Sequence, residues 1–199
     1  MHRDRDGSDR EIGRHLLAAR AGEQDGFTGL YRVLAGRVAG YVRSKGVAEV
    51  EDVTNEAFLA AFKNLPSFRG DGAAFRSWLF GITWNKSMDW HRAQARRPPT
   101  TAHAHAAVDR YVGDVEDDFL TALGNDDVRS MLQDLTADQR DVLLLRIVAD
   151  LSLEQTADAL GKPVGAIKAL QHRALTNLRK RNRCEAVSQP SERTTTGTR

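Results

Sequence analysis

Apolar residues recur at helical spacing along most of this chain. Phe27, Leu30, Tyr31, Leu34, Val38, Tyr41 and Val42 form one such stripe, which predicts a helix ending near Ser44, with Gly46 to stop it. A shorter helix over 12–20 precedes it, and a third covers roughly 49–64. Pro66 and the stretch from Arg69 to Gly72 interrupt the pattern, and a fourth helix runs over about 74–95. Pro98-Pro99 ends it, because proline pushes the residue before it out of the helical region. Helices resume near Asp127. Thr136 with Gln139, and Ser152 with Gln155, each read as a capping box opening a helix. Gly161-Lys162-Pro163 makes a turn before a last helix over about 165–182. No segment alternates apolar and polar residues with period two, so the predicted fold class is all-α.

The pattern divides the chain into a polar, disordered stretch (1–11), a first helical domain (12–97), a flexible linker (98–126), a second helical domain (127–183) and a disordered tail (184–199). Charge sharpens this division. The net charge is only +2, yet residues 63–97 hold seven Lys/Arg against two Asp, and residues 163–183 hold six Lys/Arg and no acid. Between them, residues 109–127 carry seven Asp/Glu and one Arg, so the linker is acidic. Two basic segments of this kind attract the phosphate backbone and release its counterions. The only cysteine is Cys184, which fits a reducing cytoplasm. The N-terminus has no apolar core of a secretory signal, and no apolar run is long enough to insert in a membrane. His103 and His105 lack the further ligands of a metal site, and no nucleophile–base set or phosphate loop appears. The expectation is a protein that is not an enzyme and needs no cofactor.

Candidate chemistry lies in three places. On the third helix Asp52, Asn55, Glu56, Leu59 and Lys63 share a mixed face, while Phe58, Ala61, Phe62 and Leu65 point to the core. The fourth helix sets Phe75, Trp78, Trp84 and Trp90 among Arg76, Lys86, Arg92, Arg96 and Arg97. Aromatic faces stack on unpaired bases and cations track phosphates, so this composition suits single-stranded DNA. Trp78, Leu79 and Ile82 are read as core. The loop before it, with Phe68 and Arg69, is positioned to form a pocket for a flipped base. In the last helix Ile167, Leu170, Ala174 and Leu178 form an apolar stripe, leaving Lys168, Gln171 and His172 to face base edges and Arg173 to reach phosphate. Ser152 and Lys162 lie near the backbone of the same duplex.

The segments Glu51-Asp52-Val53-Thr54-Asn55-Glu56-Ala57-Phe58, Leu65-Pro66-Ser67-Phe68-Arg69-Gly70-Asp71 and Ile82-Thr83-Trp84-Asn85, with the helix-turn-helix from Leu151 to Lys168, resemble an extracytoplasmic-function sigma factor of bacterial RNA polymerase. The resemblance implies that the first domain is sigma region 2, which docks on core polymerase through Asp52, Asn55, Glu56, Leu59 and Lys63. It implies that Asn85 and the preceding loop capture a base flipped from the single-stranded −10 element. The second domain becomes region 4, which reads the double-stranded −35 element. An anti-sigma factor is the implied regulatory partner. The chain departs from the family pattern in carrying Asn55 for the usual Gln, Trp84 for Arg, and Leu170 where many members have Arg. Residues 100–126 can span roughly 90 Å when extended. That exceeds the distance, on the order of 50 Å, between sites one and a half DNA turns apart. Two other readings stay open at this point. One is a stand-alone helix-turn-helix regulator binding duplex operators, and the other is a sigma-like chain that only sequesters an anti-sigma protein.

Overall fold

A computed structural model of the chain describes residues 2–96, 132 and 134–188. The expected linker, Arg97 and the His103–His105 pair lie outside the described residues. The described residues form helices joined by short turns: α1 (His2–Arg20), α2 (Gln24–Ser44), α3 (Val50–Asn64), a 3-10 turn at Leu65–Ser67, α4 (Gly72–Arg96), α5 (Ala137–Ile147), α6 (Leu153–Leu160) and α7 (Val164–Ser188).

Local signals set most of these boundaries. Gly46, at φ +75°, follows α2. Both capping boxes form: Thr136 and Ser152 accept from the backbone N–H of Gln139 and Gln155, whose side chains bond back to the cap backbone. Gly161 closes α6 in the left-handed region at φ +61°, where a side chain is strained. The Asp71 carboxylate accepts the Ala74 N–H at 2.9 Å and opens α4.

Two boundaries differ from the sequence expectation. The polar N-terminus, read as disordered over 1–11, is helical in its described part, since α1 begins at His2. Its backbone lies so close to α4 that a Cβ on Gly72 would sit 2.1 Å from the Asp9 carbonyl oxygen, and Asp9 is ion-paired there to Arg76. At the other end α7 runs to Ser188, into the stretch read as tail.

The long helix α4 is central. It packs on α1, α2 and α3 and on α6 of the helix-turn-helix. Its buried side chains include Phe75, Leu79 and Phe80, and Phe80 meets the ring of Tyr41 edge-on at 5.8 Å. The apolar core is continuous across the two halves: Leu34, Val38 and Phe80 belong to the same cluster as Leu144, Leu145, Leu151 and Ile167. A smaller cluster of Leu135, Leu143 and Ala174 holds α5 against α7.

Candidate nucleic-acid interface

The face of α3 is as the spacing predicts. Asp52, Asn55, Glu56, Leu59 and Lys63 are exposed, and Val53, Ala57, Phe58 and Ala61 are buried behind them. Tyr31 from α2 donates to Asn55 Oδ1 at 3.2 Å, and Lys86 from α4 pairs with Glu56 at 3.1 Å. The α3 face is therefore joined physically to the helix that carries the expected −10 residues.

On α4, Asn85 is exposed and donates through Nδ2 to the Gly81 carbonyl at 3.1 Å. Arg92 and Arg96 are also exposed, Arg92 pairing with Asp89 at 2.6 Å and Arg96 donating to the Arg92 carbonyl at 3.1 Å. The preceding loop is held rather than open. Phe68 stacks on Trp78 with ring centroids 4.8 Å apart and meets Phe75 edge-on. Arg20 lies over the Phe68 ring and donates to the carbonyls of Phe68 and Gly70. Arg69, exposed, donates to the carbonyls of Pro66 and Phe68. Phe68 thus serves as a plug for the aromatic cluster, and Arg69 is the outward group of the pair. Trp78 and Ile82 pack against the core, as read from sequence.

Arg76 departs from the expectation. It is fully buried, paired to Asp9 of α1 at 3.1 Å and to Asp150 before α6 at 3.8 Å, so it presents no cation to DNA in this arrangement. A guanidinium placed in a core needs carboxylates around it, and two distant segments supply them.

In the helix-turn-helix, Lys168, His172 and Arg173 project to solvent from α7, while Ile167 and Ala174 are buried. Gln171 is half-buried, and its Oε1 has no hydrogen-bond partner among the described residues. Ser152 is occupied as the α6 cap and also donates to Glu154 at 2.9 Å. The Glu154 carboxyl is held below the usual carboxylate range by its own backbone N–H and by that hydroxyl, with Lys168 adding a favourable charge. Lys162 pairs with Asp138 at 3.0 Å.

Sequence reasoning missed a polar cluster between the halves. Asp141 of α5 is buried. It pairs with Lys45 at the end of α2 and accepts the indole N–H of Trp84 at 2.7 Å. The one available signal was an acid at 141 in helical register with Leu144 and Leu145. The Tyr41 hydroxyl is buried beside it without a hydrogen bond among the described residues. Burial first, and then the charge of Asp141, push the Tyr41 phenol well above its ordinary value of 10. The fold therefore favours the neutral phenol, and stability is unaffected below about pH 10. Above that, the unfolded chain ionises while the folded chain does not, and stability falls by up to about 1.4 kcal/mol per pH unit. Tyr41→Phe is expected to remove this part of the alkaline loss with little change at pH 8. Urea unfolding midpoints of both proteins between pH 8 and 11 check it.

Among the described residues no group of three or more His, Cys, Asp or Glu side chains could hold a metal ion. None of the described helices is long and apolar enough to cross a membrane.

Comparison with known proteins bears on both halves. Residues 24–97 match the family Sigma-70 region 2, and residues 131–180 match Sigma-70, region 4. The chain is 33% identical over 162 residues to the ECF RNA polymerase sigma factor BldN of Streptomyces coelicolor, covering 80% of this chain and 61% of BldN. It thus spans about three fifths of that relative's length. It is 32% identical over 149 residues to the ECF RNA polymerase sigma-E factor of Escherichia coli, covering 71% of this chain and 76% of that protein. A chain in the solved complex of CnrH with the cytosolic domain of CnrY superposes with a TM-score of 0.64 at 27% identity, over 89% of this chain and 98% of that one. A stand-alone duplex-binding regulator is not favoured, since the half ahead of the helix-turn-helix matches a sigma region of its own.

Proposed function

The chain belongs to the ECF RNA polymerase sigma factors, and we propose that it binds core RNA polymerase and directs it to specific promoters, opening the −10 element and reading the −35 element. The observation that carries this reading is the exposed face of α3, a lone large leucine ringed by Asp52, Asn55, Glu56 and Lys63, bridged by Lys86 to the helix bearing Asn85. In this reading residues 12–97 dock on core and hold unpaired −10 bases, with Asn85, Arg69, Arg92 and Arg96 as the outward groups. Residues 127–183 set Lys168, Gln171 and His172 against −35 base edges. The protein works in the cytoplasm, beside polymerase and DNA, and regulates initiation rather than catalysing a reaction of its own. CnrH has been solved with the cytosolic domain of CnrY on it. By that likeness an anti-sigma protein is the expected inhibitor here.

Run-off transcription with core polymerase, on genomic fragments that include the gene's own upstream region, tests the reading. Specific transcripts are expected, with Asn85→Ala lowering them about 10–100-fold through one lost base contact. No transcript and no co-elution with core, but binding to duplex operators by the protein alone, would return the chain to the conventional regulators. No transcript despite tight binding of an anti-sigma protein would make it a sequestering module.

The two kinds of contact on α7 separate by salt. Lys168→Ala is expected to cost about 1–3 kcal/mol and to relax preference at one −35 position. Arg173→Ala is expected to weaken all sequences alike and to lower the slope of log K against log salt by about 1. Titrations of duplex libraries with the polymerase holoenzyme at several salt concentrations distinguish them.

A further inference from the structure

The loop ahead of α4 is pinned at both ends. At its start the Phe68 N–H donates to the Leu65 carbonyl at 3.1 Å, and the Phe68 ring is stacked on Trp78. At its end the Asp71 carboxylate holds the Ala74 N–H, and the Asp71 carbonyl accepts the Phe75 N–H at 2.9 Å. A Cβ on Gly70 would lie 2.9 Å from the Phe68 ring and 2.7 Å from the Ala74 Cβ, so the backbone passes the ring at a distance only glycine allows. These contacts leave the carbonyls of Phe68 and Gly70. Both accept from Nη2 of Arg20, at 3.0 and 3.3 Å, and the same guanidinium stands 5.5 Å from the centre of the Phe68 ring. The Phe68 carbonyl accepts from Arg69 as well, but Arg69 belongs to the loop and moves with it.

Arg20 holds the loop from a firm base. It is the last residue of α1. A Cβ on Gly26 would sit 2.2 Å from the Ala19 backbone nitrogen, so α1 and α2 meet backbone to backbone beside it. The N–H groups of Gly22 and Glu23 donate to the carbonyls of Ala19 and Ala18 at 3.1 and 3.0 Å and close the turn between the helices. The loop has no such support on one side. A cavity of about 360 Å³ is lined by Phe27, Phe62, Leu65 and Pro66 together with Arg20 and Arg69. A segment that borders open space gains little from packing there, and its hydrogen bonds decide its shape. A guanidinium suits the task, because its planar fork fixes several donors at once and its face rests on an aromatic ring.

We propose that Arg20 is a positioning residue for base selection. By holding the carbonyls of Phe68 and Gly70 it fixes the shape of the loop that receives the flipped −10 base, and so sets how sharply one base is preferred, without touching DNA. A binding constellation discriminates only when its parts stay within about 0.5 Å of the productive geometry. The selection role rests on the sigma reading above; the clamp itself does not.

Two measurements on the full chain test this. The first is the rate of trypsin cleavage after Arg69, followed by mass spectrometry. The second is run-off transcription by the polymerase holoenzyme from promoters that carry each base in turn at the flipped position. Arg20→Ala is expected to speed the cleavage about tenfold with helicity kept, since cleavage tracks the population of the opened loop. It is also expected to lower the transcript ratio between the preferred base and the next by about tenfold, because misplacement on the order of 1 Å is costly. The salt dependence of promoter binding is expected to stay unchanged. Arg20→Lys keeps the charge but offers a compact point donor, so it is expected to restore part of both effects. Arg14→Ala removes an equal charge from the same helix and is expected to change neither.

If Arg20→Ala loses helicity, Arg20→Lys carries both readouts. Cleavage at the wild-type rate overturns the clamp. Faster cleavage with base preference intact overturns the selection role. An equal loss on every promoter, with the slope of log K against log salt lowered by about 1, makes Arg20 a phosphate contact and overturns it too. If no form transcribes, the sigma reading and the selection role fall together, while the cleavage rate still decides the clamp.

Discussion

Leu59→Asp is expected to weaken binding to core polymerase by about 30-fold or more while leaving the fold intact. Leu59 is 68% exposed, so little of its side chain supports the protein's own core. Exposed substitutions of this kind change stability by no more than about 0.5 kcal/mol. Its surroundings are those of an interface centre: one large apolar side chain inside a ring of Asp52, Asn55, Glu56 and Lys63. Central apolar anchors account for most of the binding energy at protein interfaces, each costing about 2 kcal/mol or more on removal. A carboxylate at 59 adds an unpaired charge that docking would have to desolvate, and it joins Asp52 and Glu56 of like sign. The measurement is the dissociation constant for core by fluorescence anisotropy, with thermal melting of the free chain as the control. Binding within threefold of wild type would remove α3 from the polymerase contact and leave its exposed leucine without a role.

Phe80→Ala is expected to destabilise the N-terminal half by about 3–5 kcal/mol, the cost of a large buried aromatic removed to leave a cavity. Phe80 is fully buried in the centre of α4 and edge-on to Tyr41, and α1, α2 and α3 all pack on the helix that carries it. For a domain of this size the transition midpoint falls by more than about 10 °C. The cluster that contains Phe80 runs on into Leu144, Leu145 and Leu151, so the loss is expected to loosen the contact with the helix-turn-helix as well. Differential scanning calorimetry checks both effects. A shift of only 1–2 °C would mean that the cavity collapses and that α4 is less central than its packing indicates. Transcription at low temperature should survive, because Phe80 touches neither expected nucleic-acid surface.

The amphipathic split of α3 was legible because an exposed face and a buried face alternate at a fixed helical period, whatever covers the buried one. The two capping boxes were legible for a similar reason: a Thr or Ser cap and a Gln three residues on meet each other within one turn. The outward course of Lys168, His172 and Arg173 followed from the apolar register of Ile167 and Ala174. Each of these turns on residues a few positions apart.

Where tertiary packing decides, sequence could not. Apolar and polar residues lie on several sides of α4, because other helices surround it, and periodicity alone does not say which neighbour meets which side. A cation reads the same in sequence whether a phosphate or a carboxylate answers it. Arg76 is answered by Asp9, 67 residues earlier, and so lies in the core instead of on DNA. Phe68 looks equally suited to a base or to Trp78, and the loop that Arg20 clamps sets it on Trp78. The N-terminal residues have too little apolar content to predict order, yet α1 runs through them, docked where Gly72 admits its backbone. By itself the sequence determined most of the helices, the exposed faces of α3 and α7, and the family. Only the tertiary structure decided that the two halves close on one another through Asp141, because that contact joins side chains from α2, α4 and α5 whose sequence separation leaves no local trace.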